Sequence, residues 1–431
     1  MKVSYYSLGC KVNLYESIAI LNKFIDSGFE VVGFNEISDV YIINTCSVTS
    51  MSDQKSRKII RQAVKRNPNA VVAVMGCYSQ LKPEDIREID GVDIILGTNN
   101  RDKMFDLVMK ELETREPIDL VDDYRKIETY EELKIDRYDN KSRGFVKIED
   151  GCENFCTYCT IPYARGKVRS RMASEVVNEI QTLTDTGLRE IVLTGINTGA
   201  YGQDLSDFTF ADLLLKIVKE VKNLGRIRIS SIEVTEVNDE VLKVINENKE
   251  HFCNHFHVPI QGGCDNTLKN MGRKYDINTY IETINKIRAI FPDANITTDI
   301  MAGFCGETTG DFKDTLDFVY GMHYGEMHVF PYSKRPLTKA YTMPNHVDEI
   351  TKRMRTEELL NANRINALEY RKQFEGQVLE VVVEKIKGNT AFGHSSNYME
   401  VEFTGQNLKL HEIRKVYIEK AGYPVSTGIA L

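Results

Sequence analysis

Hydrophobic and polar positions alternate along the chain in three distinct ways. In the first third, residues 3–8 alternate and favour β structure. Residues 12–27 set Leu14, Ile18, Leu21, Phe24 and Ile25 at helical spacing. Residues 40–44 (VYIIN), 70–75 (AVVAVM) and 94–96 read as apolar strands, and 52–66 as a helix ended before Pro68. Strand and helix in turn predict a doubly wound parallel sheet. From residue 144 the alternation returns, with strands at 144–148, 191–194, 226–230, 255–258, 295–300 and 327–331. Helices are predicted between them at 174–186, 210–222, 239–246, 280–290 and 309–320. This pattern predicts a partial (β/α)6 barrel, whose chemistry belongs at the carboxyl ends of the strands. A long amphipathic helix over 347–374 follows. Short alternating segments at 378–385, 391–392, 399–403 and 416–421 then predict a small antiparallel β-barrel. The fold class is therefore α/β, divided as 1–112, a charge-rich connector at 113–140, a barrel domain at 141–370 and a terminal domain at 371–431.

Composition narrows the class. A chain of 431 residues with 42% hydrophobic and 27% charged residues fits a soluble multidomain protein with ample core. The net charge of −8 argues against a uniformly basic nucleic-acid binder but leaves room for local basic patches. Residues 371–431 hold eight basic and seven acidic side chains, so that domain is near neutral. The helix at 52–66 carries a better electrostatic candidate, Lys55, Arg57, Lys58, Arg61, Lys65 and Arg66; such a charge run can equally be a solvated face. No apolar run reaches membrane-spanning length and no signal peptide opens the chain, so a cytoplasmic location is expected. Its nine cysteines are then expected as thiols or metal ligands.

Six of those cysteines carry the chemistry. Cys152, Cys156 and Cys159, in GCENFCTYCT, have the spacing Cys-x-x-x-Cys-x-x-Cys. Three thiolates so close can hold three irons of a [4Fe–4S] cluster and leave the fourth open to a ligand. The spacing is the signature of the radical S-adenosylmethionine (SAM) enzymes. Structural zinc wants four ligands, and no fourth Cys or His is near. Cys10, Cys46 and Cys77 each stand just past a predicted parallel strand, at the edge where open α/β sheets bind ligands. A single buried cysteine is commonplace; three at equivalent positions favour a second three-cysteine site. Cys253, Cys264 and Cys305 lack metal spacing, and His255 and His257 alternate on a strand as core histidines would.

The segments SLGCKVN, INTCSVT, VMGCYSQ and GCENFCTYC together resemble the methylthiotransferase family of radical-SAM enzymes, and the resemblance covers the whole chain. It implies two [4Fe–4S] clusters, an auxiliary one on Cys10, Cys46 and Cys77 and a SAM-cleaving one on Cys152, Cys156 and Cys159. It implies a 5′-deoxyadenosyl radical, a second SAM that methylates a sulfide on the auxiliary cluster, and transfer of the methylthio group to a substrate carbon radical. Tyr158 resembles the residue bordering the adenine, and Gly195, Asn197, Ser231, Glu233 and Gln261 resemble SAM-contacting positions. The terminal domain resembles TRAM, which implies RNA binding. GCKVN with LTGINTGAYG resembles the branch acting on N6-threonylcarbamoyladenosine beside the tRNA anticodon, converted at C2. Implied partners are the tRNA anticodon loop, an electron donor such as flavodoxin or ferredoxin, and a sulfur donor. The alternatives are the same chemistry on isopentenyladenosine or a ribosomal-protein aspartate, or a non-catalytic Fe–S protein that binds RNA or carries electrons. Two departures stand out: Cys305 where the family usually has Pro, and Leu337 where Gly is usual. A threonylcarbamoyl carboxylate favours a cation, and Lys334, Arg335 and Lys339 are candidates in the loop after the last barrel strand.

Overall fold

The structure, a computed structural model, describes residues 1–138 and 142–431. Its first sheet is parallel and six-stranded, in the order Glu30–Val31, Lys2–Ser7, Val40–Thr45, Val71–Gly76, Ile94–Leu96, Ile118–Leu120. Val40–Thr45 and Val71–Gly76 are buried along their whole length, as strands covered on both faces by helices must be. The chain leaves Lys2–Ser7 in one direction and returns to pair on its other side at Val40–Thr45, which opens a crevice at the carboxyl ends.

The connector at 113–140 is not a solvated tether. Helix Met104–Thr114 runs into it, and Ile118–Leu120 completes the sheet. Ile127, Leu133, Ile135 and Tyr138 are buried between sheet and barrel. The Tyr15 hydroxyl donates to the Leu133 carbonyl (2.5 Å), and the Ile135 amide donates to Glu179 (3.3 Å). Much of the charge that suggested a tether is paired, Arg101 with Glu131 (2.6 Å) and Arg171 with Glu132. The end of the connector at 139–140 and the boundary at 141 lie outside the described residues.

Strands Arg143–Lys147, Glu190–Thr194, Arg226–Ile229, His255–His257, Asn295–Ala302 and Glu326–Pro331 follow one another in parallel, the third and fourth joined by bridges at Ile227–Phe252 and Ser231–His257. Among the described residues the first and last of them do not pair, so the barrel is open on one side. The sheet domain packs there, tied to the first strand by Lys147–Glu16 (3.0 Å) and beyond the last strand by Arg335–Asp53 (2.8 Å). Helix Glu349–Lys372 leads to a closed barrel ordered Val378–Lys387, Thr390–Ser395, Glu400–Thr404, Val425–Ala430, Ile413–Lys420. Its pairs are antiparallel except Glu400–Thr404 with Val425–Ala430. Arg226 and Arg228, both buried on Glu190 (2.6 and 2.7 Å), donate to carbonyls of the closed barrel at Glu380, His394, Ser395 and Ser396.

Candidate active site

Cys10, Cys46 and Cys77 follow the strands Lys2–Ser7, Val40–Thr45 and Val71–Gly76 and meet in the crevice. Gly9 makes the approach possible: its φ is +97°, and a Cβ there would lie 2.9 Å from the Cys46 sulfur. Arg165 gathers the group from below. Its Nε donates to Cys77 Sγ (3.3 Å), and its Nη2 to Asn13 Oδ1 (2.8 Å), which also accepts from the Cys10 thiol (3.7 Å). Desolvation by the surrounding crevice pushes the Cys10 thiol up although its side chain is exposed on the cavity wall, and burial with Cys77 and Cys10 nearby pushes Cys46 up to about 11. Thiols so placed give up a proton readily only to a metal. Three soft donors, a glycine cradle and an arginine on sulfur fit a cluster bound through three irons.

The second group opens on Gly151, whose φ is +94° and whose absent Cβ would lie 1.8 Å from the Lys167 carbonyl. The loop is pinned through Thr157, which bonds the carbonyls of Met271 (2.9 Å) and Asn270 (2.8 Å) and accepts from Ala340 (2.7 Å). Arg273 donates to Cys156 Sγ (3.3 Å), and the Ile161 amide to Cys159 Sγ (3.5 Å). Burial, then Cys156, pushes Cys159 up to about 12, and burial raises Cys152 as well. The donor set again fits three irons.

Each group lies on the wall of a cavity. Cys159 lines a small one of about 170 Å³ together with Tyr158, Gln261, Asp299 and Tyr332. Cys10 lines a larger one of about 600 Å³, which runs into the barrel and includes Gly195 and Ser231. Asp299 lies on both walls. Burial alone would raise its carboxyl, but His257, at 3.4 Å, together with His328 and Gln261 outweighs that and holds it below the usual carboxylate range. His257, Asp299 and His328 present ligand atoms within 4.8 Å of one another, where the two cavities adjoin.

The six proposed SAM contacts thus divide. Tyr158 and Gln261 sit with Cys159, the Tyr158 ring edge-on to Phe304 (6.2 Å) and Gln261 in the left-handed region (φ +70°). Gly195 and Ser231 face the Cys10 cavity. Glu233 is held by Arg273 beside Cys156. Asn197 lines neither cavity: its amide donates to Glu149 (2.5 Å) and its side chain to Glu236 (2.6 Å). Arg335 is not an open loop cation; it is buried on Asp53 and Ser47 (2.7 Å), while Lys334 and Lys339 are exposed. On the helix Ser50–Arg66, Arg57 and Arg66 are bonded within the domain, and Lys55, Lys58, Arg61 and Lys65 are exposed. His255 is buried on Thr297 (3.0 Å) and stacked on Tyr398, and both it and the less buried His257 line the larger cavity. Cys305 bonds His346 (3.3 Å), and Leu337, exposed, takes the left-handed φ of +72° that a glycine would hold without strain. Lys11, Arg165, Arg273 and Tyr398 carry no spacing signal; Lys11 alone stands inside a quoted motif.

Two family profiles match the sequence: "Radical SAM superfamily" over residues 146–319 and "Uncharacterized protein family UPF0004" over 2–97. The chain is 43% identical to threonylcarbamoyladenosine tRNA methylthiotransferase MtaB of Bacillus subtilis (strain 168), over 99% of this chain and 95% of that one. It is 35% identical to the protein of the same name from Aquifex aeolicus (strain VF5), over 94% and 97%. It is 34% identical to tRNA-2-methylthio-N(6)-dimethylallyladenosine synthase of Thermoanaerobacter pseudethanolicus, over 96% and 90%. Among solved structures, the radical SAM methyltransferase TsrM of Kitasatospora setae, with cobalamin and a [4Fe–4S] cluster, shares the fold with a TM-score of 0.57 at 14% identity, covering 79% of this chain and 77% of that one.

Proposed function

Because this chain belongs to the radical-SAM tRNA methylthiotransferase family, we infer that it methylthiolates C2 of N6-threonylcarbamoyladenosine next to the anticodon of tRNA. The observation that carries the reading is the pair of three-cysteine groups opening on two cavities that share Asp299. Cys152, Cys156 and Cys159 would hold the cluster that binds SAM, and Cys10, Cys46 and Cys77 the auxiliary one. When bound, two [4Fe–4S] clusters and SAM supply one-electron chemistry able to act on an unactivated carbon, together with the methylthio group itself. The chain's own residues do the rest. Tyr158 and Gln261 border the SAM cavity, and Arg273 and Arg165 each place a guanidinium on a cysteine sulfur, which favours the more reduced, more negative state. Val48, Ile161, Met301 and Phe330 limit water beside Cys159, while the larger cavity has mostly polar walls. The closed barrel, with the exposed Lys55, Lys58, Arg61 and Lys65, receives the anticodon arm, unstacked bases being what such barrels read. A low-potential carrier such as flavodoxin or ferredoxin supplies electrons, a separate donor renews the sulfur, and the work is done in the cytoplasm. Among the described residues no helix is long and apolar enough to cross a membrane.

The reconstituted enzyme, given SAM and a reductant, is expected to convert tRNA bearing threonylcarbamoyladenosine and to leave the isopentenyl form unchanged, as read by mass spectrometry of the nucleosides. Comparable conversion of both would overturn the substrate assignment.

A further inference from the structure

We propose that Lys11 is the specificity-determining residue of this enzyme, the cation that receives the carboxylate of the N6-threonylcarbamoyl group inside the large cavity. The inference rests on the function proposed above and assigns the part of the site that reads the substrate.

The reacting carbon must come to the cavity wall at Cys10, where Lys11 is the next residue and the first of helix Lys11–Asp26. The N6 substituent is carried on C6 of the same ring, separated from C2 by N1 alone, so with C2 at Cys10 it runs along the wall beside Cys10 into the barrel cavity. The charges along that path are largely settled. Asp299 has His257 at 3.4 Å, Glu326 has Arg371 at 3.6 Å, and Arg228 is paired with Glu190. The half-buried Lys11 ammonium pairs with no carboxylate among the described residues. A cation held partly out of water without a partner is unfavourable, and an arriving carboxylate relieves it with a charge-assisted hydrogen bond.

The far end of the cavity is built rather than open. Tyr398 reaches in from the closed barrel with a left-handed φ of +62°, a conformation that an aromatic residue keeps only where its surroundings enforce it. Its ring is stacked between His255 and His394, each at 4.7 Å, and lies under Arg228 (4.8 Å) and Arg143 (5.2 Å). That end is rigid and its arginines are already paired, Arg228 with Glu190 and Arg143 with Glu384 (3.3 Å), so among the described residues Lys11 is the cation left on this wall for an anionic group. Hydroxyl and urea groups would find His257, Ser231 and Thr297 on the walls between. An isopentenyl group offers none of this and would leave Lys11 desolvated and alone, which is how a polar site rejects a hydrocarbon analogue.

The test uses holoenzyme and anticodon stem-loop RNAs bearing threonylcarbamoyladenosine or its carboxyl methyl ester, which differ by one charge. Wild type is expected to bind the acid about tenfold or more tightly than the ester by fluorescence anisotropy, as loss of one charge-assisted bond implies. K11Q should bind both alike, with KM for the acid raised about tenfold or more and with iron content unchanged; K11R should regain the preference for the acid. Carbodiimide treatment of the wild-type complex should join the RNA carboxylate to Lys11, read by peptide mass spectrometry, which needs no variant to fold. Equal binding of acid and ester by wild type, an undiminished preference in K11Q, or coupling to a different lysine would overturn the assignment. If wild type fails to methylthiolate the acid RNA at all, the proposed function itself falls; intact turnover without any Lys11 effect removes only this inference.

Discussion

Arg165 is fully buried and ties the segment after Cys159 to the Cys10, Cys46 and Cys77 group. It lies on the short helix Ile161–Arg165 that follows Cys159, yet its Nε reaches Cys77 across the domain boundary. Its Nη1 bonds Glu16 (2.6 Å) and Asp150 (3.2 Å), carboxylates that Lys147 and Arg101 also approach. Burial alone would raise the Glu16 carboxyl, but Arg101 and Arg165 hold it well below the usual range. Removing Arg165 deprives buried Glu16, Asp150 and Asn13 of the hydrogen bonds it donates, so Arg165→Leu should cost about 3 kcal/mol or more in anaerobic chemical denaturation; a loss below about 1 kcal/mol, the scale of an exposed pair, would contradict this. At this scale the cysteines were legible because spacing and strand ends mark them. Arg165 was not, since Asn13, Glu16, Cys77 and Asp150 come to it from separate segments. Arg335 was misread for the same reason: its partners Asp53 and Ser47 lie in another domain, so a buried tie looked like a loop cation.

The loop from Asp150 to Cys159 shows how an element delivers its ligands. It turns at Gly151, against the Lys167 carbonyl, and the Cys152 amide bonds the Gly166 carbonyl (3.0 Å). A methyl at Gly151 can be accommodated only by moving that backbone. Gly151→Ala should therefore lower reconstituted iron from about eight to about four per chain, the Cys10 group keeping its share; a full load would contradict the assigned role of the turn. The barrel strands were legible to within a residue or two because the helices between them are clear, although Arg226–Ile229 (RIRI) and His255–His257 (HFH) are not apolar runs. Glu30–Val31 and Ile118–Leu120 are too short to show a period. Helix Met104–Thr114 does show one, in Met104, Val108 and Leu112, yet it is absent from the elements read in the sequence, and only its last two residues fall in the connector 113–140. Val425–Ala430 was missed because its place is set by a parallel pairing with Glu400–Thr404 that local pattern does not encode.

In the whole molecule, the sheet domain closes the open side of the large barrel and the small barrel reaches into it with Tyr398. Neither cavity exists in one domain alone. Cys10 and Lys11 face strands of the large barrel, and Val48 and Thr49 help enclose the cavity of Cys159. Sequence could suggest the three parts and their order, but not that Asp299 would stand between the two cavities. Under the proposed function the two cysteine groups have different tasks, and one measurement separates them: nucleoside and small-molecule mass spectrometry on Cys46→Ala, reconstituted and given SAM, reductant and tRNA bearing threonylcarbamoyladenosine. The two-site reading predicts that this variant still forms 5′-deoxyadenosine and makes no methylthio nucleoside. Methylthio product from Cys46→Ala at the wild-type rate would contradict it.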